Sequence, residues 1–482
     1  MRNRHLLTAL AVALMPAIAY AQETTVASTA PVATDSAKTA TVKPAPKAPA
    51  KIDPTVMNPA AATRSSTQPE IVIQHIRPFD QRGLNVFETP KTDNVPYSGF
   101  ALAWGAAFTQ QFQGLDHRNT AAPNMVAGVN QNQLIRVGHG FNNAVANLYL
   151  NAQLAKGIRV SLTSYMSARH HNEMWVKDGY LLIDESPIDF APLNNLMKFV
   201  TVRAGHFEIN YGDQHFRRTD NGNSLYNPFV GNLIMDAFTT EVGGEVYVRS
   251  NGLLLMGGIT NGEVRGTVLN PQKRSPTFLG KAGFDRQVNE ALRVRLTGSI
   301  YSKAKSNNNT LYSGDRAGSR YYDVMENVSS SEAAQAWSGA IQPKMSDKIT
   351  SWVINPFVKL NGLEVFGNVE RAKGRGPKTT DPKERTWDQL AVDGVYRFLP
   401  GEPLFVGGRY NTAKGTLPGV IANGALADLK VNRYAASAGW FITPGILAKV
   451  EYVTQKYDGF PRTDIRNGGK FNGFMIEGAV AF

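Results

Sequence analysis

The sequence predicts an all-β fold: a transmembrane antiparallel β-barrel of about sixteen strands behind an N-terminal tail that builds no core. Three observations carry this reading. Beyond Pro96, apolar and polar residues alternate at period two in segments of about ten residues or more. The connectors between these segments alternate between short turns and long polar loops. No apolar run outside the N-terminus reaches the length of a spanning helix, a test that barrel strands escape because their alternation cancels in any window average.

The chain opens on Arg2 and Arg4, an apolar run from Leu6 to Ile18, and Ala19-Tyr20-Ala21. This is a secretory signal over residues 1–21, with cleavage expected before Gln22. No cysteine occurs anywhere in the 482 residues, which excludes disulfides, a thiolate metal site, a lipid-bearing cysteine and a cysteine nucleophile. Residues 22–96 form a tail and lead-in. The part up to about Glu70 is rich in Ala, Thr, Pro and Lys, a composition too poor in apolar residues to bury a core, so it reads as disordered or polyproline-like. Its plain reading is a periplasmic spacer, and its sharper one is peptidoglycan contact through residues 22–70. Ile71-Val72-Ile73 could form a short strand, with loop from there to Pro96.

The barrel is expected over residues 97–482. Phe100, Leu102, Trp104, Ala106 and Phe108 alternate with small residues, and Leu148, Leu150, Ala152 and Leu154 alternate with Asn147, Tyr149, Asn151 and Gln153. The same pattern places strands at 99–112, 142–155, 158–170, 174–184, 199–208, 236–249, 252–262 and 277–287. Eight more follow at 291–303, 349–360, 363–373, 385–399, 402–413, 430–442, 446–457 and 472–482. After even-numbered strands come turns such as Lys156-Gly157, Asn361-Gly362 and Pro444-Gly445. After odd-numbered ones come the long segments 209–235, 304–348, 374–384 and 414–429. The stretch 185–198 breaks this rule and implies either a short helix or a miscounted hairpin. Aromatic residues recur near strand ends at Tyr97, Trp175, Tyr301, Trp352, Tyr410, Trp440, Tyr452 and Phe482, as an interfacial girdle requires. A barrel must close because lipid offers no partner for an unpaired backbone N–H or C=O. The last strand puts Phe474, Ile476, Gly478, Val480 and Phe482 on one face and stops on an aromatic, and so resembles the closing strand of bacterial outer-membrane barrels.

Formal net charge is +12, or +10 without Arg2 and Arg4. Behind a secretory signal, a basic balance points to an anionic surface or an anion-favouring pore rather than to nucleic acid. On the parity opposite the apolar one, facing the lumen, lie Arg159, Arg203, Arg293, Arg295, Lys359, Arg397, Arg409 and Lys449, with Arg169 and Arg249. Glu241, Glu245, Glu364, Glu370, Asp393 and Glu451 share that parity. Cations outnumber carboxylates there, and a positive lining favours anions. In the loop 209–235, Arg217 and Arg218 with Asp213 and Asp220 would form a constriction of opposed charges if the loop enters the lumen, and plain surface pairs if it does not. The loop 304–348 carries Lys303, Lys305, Arg316 and Arg320 near its start, a basic vestibule or a solvated loop.

Lys177-Asp178-Gly179-Tyr180, then Val202-Arg203-Ala204-Gly205-His206-Phe207 leading into Tyr211-Gly212, resembles the corresponding hairpin of the phosphate-selective porin superfamily. The likeness spans about residues 174–260, with the strand count as support beyond it. It implies a homotrimeric sixteen-stranded channel in the outer membrane of a diderm bacterium, surrounded by lipid, passing phosphate-like anions past lumen arginines and a lysine cluster, with the loop after the fifth strand folded inward. Two departures weigh on phosphate itself: Glu208-Ile209-Asn210 stands where the family carries a proline motif, and no single loop holds a compact lysine cluster.

Enzyme motifs do not assemble. His170-His171-Asn172-Glu173 lacks the order of a metalloprotease helix, and the glycines around Gly257, Gly258 and Gly262 precede no helix. The expectation is therefore a channel for small anionic or polar solutes with no catalytic residue, cofactor or metal. The alternative is a structural barrel that tethers the cell wall through its tail.

Overall fold

The structure, a computed structural model, describes residues 71, 73–89, 91, 95–170, 174–264, 271–314, 320–331 and 338–482. The signal segment and the tail to residue 70 lie outside these, as do Val72 of the expected short strand and Arg316.

Sixteen long strands build the wall. The first eight are β1 Ala101–Arg118, β2 Val145–Ala155, β3 Ile158–Ser167, β4 Met174–Ile183, β5 Val200–Glu208, β6 Thr240–Ser250, β7 Leu253–Thr260 and β8 Thr277–Gln287. The second eight are β9 Leu292–Lys303, β10 Lys348–Leu360, β11 Leu363–Arg375, β12 Arg385–Phe398, β13 Leu404–Gly415, β14 Leu429–Thr443, β15 Ile446–Asp458 and β16 Lys470–Ala481. Each strand pairs with its sequence neighbour, and β1 pairs antiparallel with both β2 and β16, as in Leu102↔Ala152 and Phe112↔Ile476. The sheet closes, so every wall strand has two partners. The two-residue strand Gly140–Phe141 adds to β1 on the loop side of β2.

Period-two alternation decides which face meets lipid. On β10, Ile349, Ser351, Val353, Asn355 and Phe357 are buried inside, while Trp352, Ile354 and Val358 are exposed outside. The 185–198 exception resolves as a helix, α1 Ala191–Met197, opened by Pro192 in its first turn. It lies in the β4–β5 connector, so the strand count and the parity of the loops stand. Most of the expected girdle faces outward, Trp440, Tyr452 and Phe482 among it, but Trp175, the register partner of the buried Tyr165, does not, and neither does Tyr301. It occupies the inward parity of β9, is fully buried, and donates to Glu241 at 2.7 Å. Parity, not nearness to a strand end, sets the direction of a side chain.

A β-bulge between β3 and β4 also departs from simple alternation. Thr163 pairs with Asp178 but Ser164 with Val176, and Lys177 and Asp178 are both buried. The extra residue re-aims a side chain that strict alternation would have sent to lipid.

Candidate functional site

The lumen is filled by three segments. The first is loop 209–239, which joins β5 to β6 on the long-loop side and folds inward; nearly all of it is buried. Backbone N–H groups along it are taken by wall side chains on opposite sides of the barrel. Gly212 donates to Ser299 on β9 (3.1 Å) and Asp213 to Asn355 on β10 (2.8 Å). Gly222 donates to Asn147 on β2 (2.8 Å), Val230 to Glu451 on β15 (2.9 Å), and Met235 to Gln389 on β12 (2.8 Å). In return Lys449 on β15 donates to the carbonyls of Ser224, Asn227 and Phe229 at 2.8–2.9 Å. At Gly222 a Cβ would sit 2.5 Å from the Cα of Ala146, so only glycine lets the loop press against the wall here. These bonds explain why Asn and Gln recur on the inward parity: a buried loop backbone must be satisfied by something other than a ladder.

The second segment is the lead-in. Its described residues hold the 3-10 turn Gln81–Gly83 and no wall strand, yet they cross the short-turn mouth of the barrel. Gln81 donates from its backbone to Pro444 O (2.8 Å) and from its side chain to Gly401 O (2.9 Å), both in short turns. Phe79 stacks on Tyr149 with ring centroids 4.1 Å apart. Asn85 bonds Glu364 on β11 (2.6 Å), and Glu88 pairs with Lys281 (2.8 Å) and Arg295 (2.7 Å). Lys91 reaches the Val200 carbonyl (2.9 Å) and the Asp184 carboxylate (3.3 Å) on the far side. The stretch expected to be loop is irregular, but its side chains are part of the lumen.

The third segment, 304–347, descends from the long-loop side. Tyr312 donates to Glu370 (2.6 Å) and Tyr321 to Glu451 (2.7 Å), and Ile341 N bonds Ile234 O (2.8 Å), tying the two long loops together. Arg320 bonds the Asn221 carbonyl, and Lys303 at the top of β9 is buried against Ser275 O (2.6 Å), so neither faces an open vestibule. Lys305 binds through its backbone N–H to Ser275 Oγ (3.0 Å).

All four residues of the expected constriction lie within the barrel, and each is engaged. Asp213 takes two bonds of 2.8 Å from Arg295, one of 2.8 Å from Thr297, and an ion pair of 2.7 Å with Lys281. Arg217 bonds Asn85 and lies 3.5 Å from Glu364. Arg218 forks onto Asp236 (3.0 and 2.6 Å). Asp220 accepts from Tyr165 and from Lys177 (2.6 Å). Asp213, Arg217 and Asp220 are thus matched to wall and lead-in partners, while Arg218 pairs within the loop, with Asp236 and, at 3.6 Å, with Asp220.

The eight inward cations are paired as well. Arg159 meets Asp184, and Arg203 meets Glu245. Arg293 pairs with Asp285 (2.7 Å), Arg295 with Asp213, Lys359 with Glu402 (2.6 Å), Arg397 with Glu364 (2.8 Å), Arg409 with Asp393 (2.6 Å) and Lys449 with Glu477 (2.6 Å). The excess of cations over carboxylates overstates the field, because further acids come from loops and lead-in (Asp213, Asp184, Glu402, Glu88) and from the wall itself (Asp285 on β8, Glu477 on β16). Sequence parity also missed three participants. Lys281 sits on the inward parity of β8 and was findable; Lys177 depended on the bulge, and Glu88 on a segment with no period at all.

Among the described residues, the space left includes two cavities. One of about 260 Å³ lies between the lead-in, loop 209–239 and strands β2 to β6, with Arg77, Lys177, Arg203 and Arg249 among its lining. The other, about 860 Å³, opens among the long loops beside Tyr312, Lys344, Asp381 and Arg466. Arg77 donates to the carbonyls of Gly83 (2.7 Å) and Phe216 (3.0 Å) and lies over the Tyr226 ring, with no carboxylate partner among the described residues. Arg249 donates to Thr201 (2.6 Å), with Asp184 at 3.8 Å. Among the described residues no group of three or more His or carboxylate ligands could hold a metal ion.

No family model matches the sequence, and no curated protein matches it. Among solved structures, the chain is similar to an anion-selective porin from Comamonas acidovorans (TM-score 0.48, 11% identity, 80% of this chain and 100% of that one). It is also similar to OprB of Pseudomonas putida (0.47, 11%, 80% and 94%) and to the outer membrane channel DcaP of Acinetobacter baumannii (0.47, 11%, 80% and 99%).

Proposed function

We propose that this barrel is an outer-membrane channel through which small hydrophilic solutes diffuse, with a modest preference for anions. The observation that carries this reading is a closed wall, apolar outside, around a lumen lined by hydrogen-bonding and charged side chains. The inward loop 209–239 divides that lumen and leaves the two polar cavities as its residual space. Arg217, Arg218, Asp213 and Asp220 then act by fixing the constricting loop in place. Arg77 and Arg249, the cations of the smaller cavity least matched by carboxylates, supply the bias toward anions. The long loops face outward from the cell and the lead-in faces the periplasm. Assembly as a homotrimer, which would cover part of the apolar wall, belongs to the same reading.

The test is conductance of the purified, folded protein in planar bilayers across a chloride gradient. The channel reading expects stable steps and a reversal potential displaced toward the anion value. The displacement should shrink in Arg77→Gln and Arg249→Gln. Silence from a folded barrel would reject the channel and leave a structural role.

A further inference from the structure

The lead-in is held by side chains and single backbone bonds rather than by a strand ladder. Its attachment points are spread across the short-turn mouth: Pro444 and Gly401 on one side, Glu364 and Lys281 within, and Asp184 and Val200 on the other. A segment fixed this way can leave without opening the wall, because none of the bonds that close the barrel depend on it. Its charges are also specific to the docked state. Glu88 joins Asp213 as a second carboxylate between Lys281 and Arg295, and Asn85 bonds both Glu364 and the Arg217 guanidinium. The Asn85 carbonyl accepts from Arg293 at 3.0 Å.

We infer that residues 73–89, with Lys91, are a releasable strap that narrows the periplasmic mouth of the channel and pairs lumen cations with Glu88. This rests on the channel reading. The strap has two consequences that follow together. Release widens the passage, since Phe79, Asn85 and Phe87 leave the lumen. Release also redistributes charge in the lumen: Lys281 and Arg295 lose one of their counterions, Arg293 and Arg217 lose their strap acceptors, and Arg77 leaves the smaller cavity with the strap. A segment that merely rested on the mouth would change conductance without changing ion preference.

The experiment compares single-channel conductance and reversal potential, in a potassium chloride gradient, of the wild type and the triple variant Gln81→Ala/Asn85→Ala/Glu88→Ala. The strap expects conductance to rise about twofold or more. Because the chain has no cysteine, a Gln81→Cys/Glu402→Cys pair joined by a short bismaleimide gives a locked control, expected to keep wild-type conductance. The single variant Asn85→Cys gives an independent reading that needs no other change: its thiol should be protected from a water-soluble maleimide. A folded triple variant with unchanged conductance and ion preference, or prompt labelling of Asn85→Cys, overturns the strap and leaves the channel standing. No conductance from wild type and variant alike removes the channel reading and the strap with it.

Discussion

Asn85, in the segment that precedes the barrel, donates a 2.6 Å hydrogen bond to Glu364 on β11, 279 residues further along the chain. Glu364 is fully buried and also takes Arg397 at 2.8 Å, with Arg217 at 3.5 Å and Lys359 at 3.7 Å. Lead-in, inward loop and wall thus meet at one carboxylate.

Replacing that carboxylate should be costly. Glu364→Gln keeps the shape but leaves Arg397 and Arg217 buried without their counterion, and breaking a buried pair from one side typically costs about 3 kcal/mol. The expected outcome is a lower midpoint for the heat-induced gel shift of the folded barrel. The double variant Glu364→Gln/Arg397→Gln should recover part of the loss. Equal midpoints for Glu364→Gln and wild type would show that water already solvates this node.

Asp213 tests the constriction. Its carboxylate anchors the entry of loop 209–239 to Arg295, Thr297 and Lys281. Asp213→Asn removes one negative charge from a site with two cations, so the channel should become more anion-selective and its open-state current noisier as the loop loosens. Reversal potential and current variance, measured on the same traces, check both halves. A shift toward cations would contradict the assignment of Lys281 and Arg295 to the conducting lumen.

The wall was legible in the sequence because a lipid-facing strand permits only one reading of its alternation. Lys348–Leu360 was expected at 349–360 and Ile446–Asp458 at 446–457, differences of a single residue at an end. The occupants of the lumen were less legible, and for a physical reason. Loop and lead-in residues have no period, and their partners are distant in the chain. Glu88, Arg77 and Asn85 look like any polar loop residues until the barrel closes around them. Lys177 needed the bulge, which no local pattern announces. Parity alone put the eight cations on the inward face. What parity could not supply was that each meets an acid.

Acid should weaken the periplasmic end of the strap. Burial alone would raise the Asp184 carboxyl, but Arg159, a hydrogen bond from Thr201, and His75 outweigh it and hold the pKa at about 2. Arg249 and Lys91 also face this group. The folded pKa lies below the unfolded one. The stabilisation is therefore complete above the ordinary value of 3.8 and is lost as pH falls through that value toward about 2. Conductance recorded from pH 6 down to about 2.5 should stay level and then change in that acid window, earlier in Asp184→Asn, where the change is already present at neutral pH. A transition centred near pH 6 would point to histidine instead.

The C-terminal residue is the last test, because it acts on closure rather than on the lumen. Phe482 exchanges two backbone bonds with Ala106 on β1, 3.0 and 3.1 Å, and its ring meets Trp104 edge-on at 6.0 Å between centroids. The final residue is thus part of the β1–β16 seam, where the two ends of the sheet must find each other. Both rings are largely exposed on the outer face, where a bilayer interface would receive them. Deleting Phe482 removes the bonds and the ring together, whereas Phe482→Ala removes only the ring. If closure depends on the backbone pair, the deletion should lower the yield of heat-modifiable folded barrel well below that of Phe482→Ala. If it depends on the aromatic contact, the two variants should fail alike, and Phe482→Trp should restore assembly. Normal assembly of the deletion would show that the remaining β1–β16 register, from Ala107↔Ala481 to Arg118↔Lys470, closes the barrel unaided.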